Sequence, residues 1–144
     1  MKKATCLILL LCLSLQFSRA QTQPLTKYSA YRCLLSDIQK GKHGFNEAKF
    51  HNNYINLKSE ILFSVYGDRI VCKNKKTIVY KIYKTKEFSD DTHYYAMDLG
   101  GQYYDIVIEH GVVNKKYYYS ITVYRTEKNN NWLSVTRFDV NKVK

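Results

Sequence analysis

The sequence predicts an all-β domain: an antiparallel meander of about seven to eight strands that curls into a half-barrel or an open barrel. Three observations carry this. Residues 60–139 alternate apolar and polar side chains with a period of two. The alternating segments recur roughly every 10 to 15 residues, with no helical pattern between them. β-Branched and aromatic residues fill them, and tyrosine alone accounts for 14 of the 144 residues, as a half-buried pleated surface favours.

The elements follow in order. Residues 28–38 fit two patterns. Tyr28, Tyr31, Leu34, Leu35 and Ile38 form a helical stripe, while Tyr31, Cys33 and Leu35 share one face of a strand. The strand is preferred, because Gly41-Lys42-His43-Gly44 next to it reads as a turn; a short N-terminal helix packed on the sheet is the alternative. A short strand is expected at residues 54–57. Ile61, Phe63 and Val65 then lie on one face, and Gly67-Asp68 has the form of a two-residue hairpin loop. Residues 69–72 return. In residues 77–84, Ile78, Tyr80 and Ile82 face one way and Val79, Lys81 and Tyr83 the other. In residues 93–99, Tyr95, Met97 and Leu99 are expected inward. Gly100-Gly101 supplies the positive φ of the next turn, and Tyr104, Ile106 and Ile108 face the core beyond it. Tyr119, Ile121 and Val123 continue that face, while Tyr118, Ser120, Thr122 and Tyr124 take the other. Residues 132–139 form the last strand, and the tail after Val140 is expected to fray.

The first twenty residues stand apart. Lys2 and Lys3 precede the apolar run 7–15, and Ser18-Arg19-Ala20 puts small residues three and one before a cut after Ala20. This reads as a secretory signal peptide, because the apolar run is shorter than the ~20 residues of a membrane span. Residues 21–27, with the only proline, read as a flexible leader, and residues 28–140 as one domain. Export places the protein in a periplasm or outside the cell. Without Lys2, Lys3 and Arg19 the formal charge falls from +11 to +8. No later segment is apolar enough to span a bilayer as a helix.

Cys33 and Cys72 remain after such a cut. In an oxidising compartment an intramolecular disulfide is expected, closing a loop of about 40 residues. Two separate buried thiols are the alternative.

Part of this pattern has a counterpart. Arg69-Ile70-Val71, Val79-Tyr80-Lys81-Ile82-Tyr83, Tyr95-Ala96-Met97-Asp98-Leu99-Gly100-Gly101 and Asp105-Ile106-Val107-Ile108 together resemble stretches of small exported β-meander proteins from host-associated Gram-negative bacteria. Their shape is similar to part of a lipocalin-like (calycin) barrel. The resemblance spans residues 69–108. It implies a fold and an export route, and it carries over no catalytic or ligand-binding residue.

Most chemistries lack their motifs. His43, His51, His93 and His110 form no H-x-H or H-E-x-x-H pair, so no metal site is expected. There is no nucleophile elbow and no Gly-rich phosphate loop, so no catalytic residue and no cofactor is assigned. Asp105 and Glu109 fall on the outward face of one strand, where solvated charges belong. Lys73, Lys75, Lys76, Lys81, Lys84 and Lys86 cluster around one strand with Tyr80 and Tyr83 interleaved. Such a patch suits a polyanion, and export favours an anionic glycan over nucleic acid. Lysines on exposed strands also block edge-to-edge aggregation. Tyr83, Tyr103, Tyr118 and Tyr124, with Lys81, are the candidate binding residues. Their rings offer an apolar body and a polar tip; the competing role is a second hydrophobic layer. The expected function is non-enzymatic binding of a protein or anionic glycan. A carrier with an apolar pocket inside the barrel is the first alternative, and an envelope hydrolase the second.

Overall fold

A computed structural model describes residues 23–40, 46–129 and 131–144. The signal-peptide reading and the turn at residues 41–44 lie outside these. Nine strands and no helix are present among the described residues: β1 Thr26–Lys40, β2 Asn46–Phe50, β3 Ile55–Val65, β4 Arg69–Lys73, β5 Thr77–Glu87, β6 Asp91–Met97, β7 Tyr103–Val113, β8 Lys116–Thr126 and β9 Trp132–Val143. Every pairing is antiparallel, in the order β2-β1-β3-β4-β5-β6-β7-β8-β9, and β1 also pairs with β9. That last pairing closes eight strands into a barrel, with β2 as an extra strand outside the ring. The alternation pattern specifies the strands but not this closure.

β1 holds the ring together. Its residues from Lys27 to Ser36 run against β9. On its other edge, Thr26 to Cys33 pair with β3 and Ser36 to Lys40 with β2. A register shift at Tyr31 lets so long a strand bend. The helix considered for residues 28–38 therefore does not form. Strand pairing begins inside the expected leader, at Thr26. The tail after Val140 is ordered rather than frayed, because Asn141, Lys142 and Val143 pair with Ser29, Tyr28 and Lys27. The short strand expected at residues 54–57 is the start of β3, whose register against β1 jumps from Ile61 to Asn56.

An eight-stranded barrel is just wide enough for side chains to fill it. Phe63, Ile70, Ile106 and Ile121 are almost completely buried at its centre. Aromatic pairs cross the interior: Tyr28 with Tyr119, Phe63 with Phe138, and Tyr80 with Tyr104 at 4.9 Å in an edge-on arrangement. Ala96 is fully buried opposite Tyr104 and Ile82; a small residue is what space beside those rings allows. This corrects the expected facing of β6. Tyr94 and Ala96 point inward, Tyr95 points outward, and Leu99 lies exposed in the turn.

Two turns set the hairpins that matter below. The Asp98 carboxylate accepts hydrogen bonds from the Gly100 and Gln102 amides, and Gly101 takes φ 82°. The β7–β8 turn places Asn114 and Lys115 at φ 50° and 64°, the double left-handed pair of a type I′ hairpin. Gly67 does not take a positive φ, so its hairpin is not the glycine-led type that the sequence suggests.

The expected disulfide is absent: Cys33 and Cys72 are both free. Cys33 pairs with Ile55 of β3, and Cys72 with Phe63 on the far edge of β3. A whole strand therefore lies between the two strands. At about 4.8 Å per strand step the backbones are too far apart for a bridge. Burial pushes the Cys72 thiol up to about 11, which keeps it a neutral, small hydrophobe.

Candidate functional site

The outward faces of β5 to β8 gather more chemistry than solvated charge requires. A bulge in β5 begins it. Ile82 pairs with Ala96, but Lys84, two residues on, pairs with Tyr95, the very next residue back along β6. Tyr83 is the extra residue, so Tyr83 and Lys84 follow one another on the outer side. Tyr83 meets Tyr103 edge-on at 6.2 Å. Lys84 and Lys86 lie over the Tyr95 ring at 5.6 and 5.9 Å, within cation–π range. Across the register, Tyr95 stands opposite Asp105, and Asp105 opposite Tyr124. Tyr124 packs against Trp132 at 4.8 Å.

Asp105 sits in the middle of these rings. Burial raises its carboxyl above the ordinary range, and His93 pulls it part of the way back. His93 Nδ1 lies 3.2 Å from Asp105 Oδ2, and His93 Nε2 lies 3.6 Å from Asp91 Oδ1. The second distance is too long for a hydrogen bond, and that Asp91 oxygen is buried without a partner. Phe88 and Tyr95 flank the imidazole ring. Asp105 is thus a half-hidden acid held by a histidine, not the solvated charge expected from its outward position.

Farther round, Ser120 donates a hydrogen bond to Glu109 at 2.7 Å, and Arg137 lies 3.8 Å from Glu109. Ser120 is fully buried, so its hydroxyl is not available to a substrate. Among the described residues no group of three or more His, Cys, Asp or Glu is arranged to hold a metal ion.

Of the five binding residues expected from sequence, Tyr83, Tyr103 and Tyr124 come together on this face. Lys81 is exposed beside them, opposite Met97, which itself pairs with Tyr103. Tyr118 belongs elsewhere. It lines a separate cleft of about 290 Å³ with Tyr31, Tyr54, Arg32 and Asp139. There the Arg32 guanidinium stacks 3.8 Å from the Tyr54 ring centre and pairs with Asp139 at 2.5 Å. The sequence does not mark Tyr95 or Trp132, and it marks His93 only through the neighbouring acids Asp90 and Asp91. Tyr95 looked like a core residue, and Trp132 meets Tyr124 only through the β8–β9 register.

A third feature is the barrel mouth at the β4–β5 and β8–β9 end. A cavity of about 280 Å³ opens there. Ile61, Phe63, Ile78, Val123 and Phe138 make its mainly apolar wall, with Lys76 and Arg125 among its polar members. Tyr104 Oη donates to Asp98 at 3.1 Å nearby.

Comparison with known proteins identifies no relative: no family model matches the chain, and neither a curated protein nor a solved structure aligns with it significantly. The functional reading rests on the arrangement of the chain's own side chains.

Proposed function

We propose that this is an exported, non-enzymatic binding module whose outward β5–β8 face takes an anionic glycan. The observation that carries the reading is the convergence of Tyr83, Tyr95, Tyr103, Tyr124 and Trp132 around Asp105, with Lys84 and Lys86 over the Tyr95 ring. Aromatic faces stack on the C–H faces of sugar rings while their polar tips and edges stay solvated. Asp105 and His93 supply an acceptor and a donor for hydroxyl groups. Lys81, Lys84 and Lys86 supply cations for carboxylate or sulfate substituents. An acidic protein surface would use the same groups, since tyrosine and tryptophan dominate protein hot spots as well.

The test is binding of the purified protein to immobilised heparin-like and uronic-acid polysaccharides across a salt series. Retention that falls with salt in the wild type and is lost in Tyr83→Ala and Tyr124→Ala supports the reading. Retention indifferent to salt and to both substitutions removes it.

The barrel mouth favours a second reading, a carrier for a small apolar ligand. Its cavity lies slightly below the ~300 Å³ floor of ordinary ligand pockets, so only a short chain or a single ring would fit. Solvent extraction of the purified protein followed by mass spectrometry decides this: a stoichiometric apolar molecule supports it, and a clean extract counts against it.

A further inference from the structure

The β7–β8 hairpin runs past both of its neighbours. β6 pairs with β7 only as far as Glu109, with one further hydrogen bond from the His110 amide to the Asp90 carbonyl. β9 pairs with β8 only from Tyr119 onward. Residues 111–118 are therefore bonded only to one another, as Gly111↔Tyr118, Val112↔Tyr117 and Val113↔Lys116. At about 3.4 Å per residue the ribbon runs roughly 10 Å beyond the pairing of its neighbours, before its turn is counted, and its Val113 and Tyr118 border the cleft shared with Tyr31, Arg32 and Tyr54. This stretch is apolar where a free surface ribbon would ordinarily be polar. Val112, Val113 and Tyr117 are 58%, 57% and 75% exposed. Tyr118 folds back over Gly111, whose Cα has room for that ring only because it carries no side chain: a Cβ there would lie 2.5 Å from it.

The surroundings are basic. Lys115 and Lys116 form the tip, and the same barrel end carries Lys27 of β1 and Lys142 of β9, which lie one register step apart. Residues 110–119, 140–144 and 23–28 contain no acid. Leu25 and Val143 add exposed apolar surface between them. The acids of this end are Asp68 in the β3–β4 turn and Glu87, Asp90 and Asp91 around the β5–β6 turn; the latter adjoin the hairpin on its β7 side, through the His110 amide, whereas the lysines lie on its β9–β1 side.

We propose that this hairpin is a membrane-surface anchor: Val112, Val113 and Tyr117 enter the headgroup layer of an anionic bilayer while Lys27, Lys115, Lys116 and Lys142 pair with its phosphates. The charge of the patch selects an anionic lipid surface over a neutral apolar partner. The chemistry of the tip matches the depth. Tyrosine settles at the headgroup level, lysine stems lie along apolar surface with their ammonium groups outward, and a ribbon running about 10 Å past its neighbours reaches the acyl boundary without spanning it. The barrel stays outside, and the aromatic face of β5–β8 remains exposed to a ligand.

The test is co-sedimentation of the full chain with vesicles of phosphatidylcholine alone and of phosphatidylcholine mixed equally with phosphatidylglycerol. A second readout uses Tyr117→Trp in a Trp132→Phe background, which places the chain's only tryptophan at the tip. Binding to the mixed vesicles alone is expected, with a blue-shifted tryptophan emission. Reversal of Lys115 and Lys116 to glutamate is expected to weaken partition about tenfold or more, with an unchanged thermal melt, since both side chains are exposed. The proposal is overturned by equal binding to neutral vesicles, by no binding, by an equal loss when Lys84 and Lys86 are reversed instead, or by lipid-free light scattering that shows a dimer in which the Tyr117→Trp emission is already blue-shifted.

Discussion

Tyr80 and Tyr83 stand three residues apart on β5 and are put to opposite uses. Tyr80 is 5% exposed, packed edge-on against Tyr104 in the barrel, and its hydroxyl is shifted upward chiefly by burial. Tyr83 is 57% exposed and meets Tyr103 on the outside. The inner ring is specified by volume, because the closed sheet leaves it nowhere else to go. The outer ring is specified by a single inserted residue in β5. Burial accounts fully for the first tyrosine and leaves the second unaccounted for, and a residue in that position is where selection for binding can act.

The largest test of this contrast is inside. Ile106→Ala removes a fully buried side chain and is expected to cost about 2–5 kcal/mol in denaturant unfolding, while Tyr83→Ala stays within about 0.5 kcal/mol. Equal losses would mean that the outer rings form a second core. Next, Ala96→Leu forces extra volume beside the Tyr104 ring and is expected to cost about 1–3 kcal/mol; a neutral result would show slack in the barrel centre. Third, Lys115→Gly relieves a left-handed lysine and is expected to raise stability by about 1 kcal/mol. The same protein should keep its salt-dependent glycan retention, since the turn lies away from Asp105.

The smallest effect concerns pH. The folded-state pKa of Asp105 lies above that of the unfolded chain. Its contribution is therefore full below the ordinary carboxyl pKa of 3.8 and is lost as pH rises through the folded value. Asp105→Asn should accordingly be more stable than the wild type near neutral pH, with the difference shrinking as the medium is acidified. Thermal melts across pH measure this. A difference that grows on acidification would mean that the His93 contact outweighs burial.

The inward faces of β5, β7 and β8 could be read directly, because Ile78, Tyr80 and Ile82, Tyr104, Ile106 and Ile108, and Tyr119, Ile121 and Val123 recur at every second residue and each set sits in a strand with partners on both sides. β6 could not. Tyr94 and Tyr95 are chemically equal claimants for the core, and the choice falls to the β5 bulge, which has no local signal in Ile82-Tyr83-Lys84. β2 was missed because Asn46–Phe50 is polar and short, as suits a strand with one partner. Tyr83, Tyr103 and Tyr124 were recognised as outward residues, but not their common centre. Asp105 reaches His93 because Tyr95, two residues from His93, stands opposite it, and register is a property of the paired strands rather than of either segment. Tyr118 was grouped with the others because it shares their face. It parts from them because it lies at the far end of β8, beside Gly111.

The β1–β9 seam bears on how the barrel can arise at all. It joins the first strand to the last, so every intermediate lacking β9 is an open sheet with two unsatisfied edges. From β3 to β9 neighbouring strands can zip as successive hairpins, each needing only a short loop, and β1 reaches β3 across the β2 excursion. The seam alone requires contact across more than a hundred residues, as between Ser29 and Asn141. It is the slow, high-contact-order step, and the point at which an unfinished molecule could add a strand from another chain instead of its own.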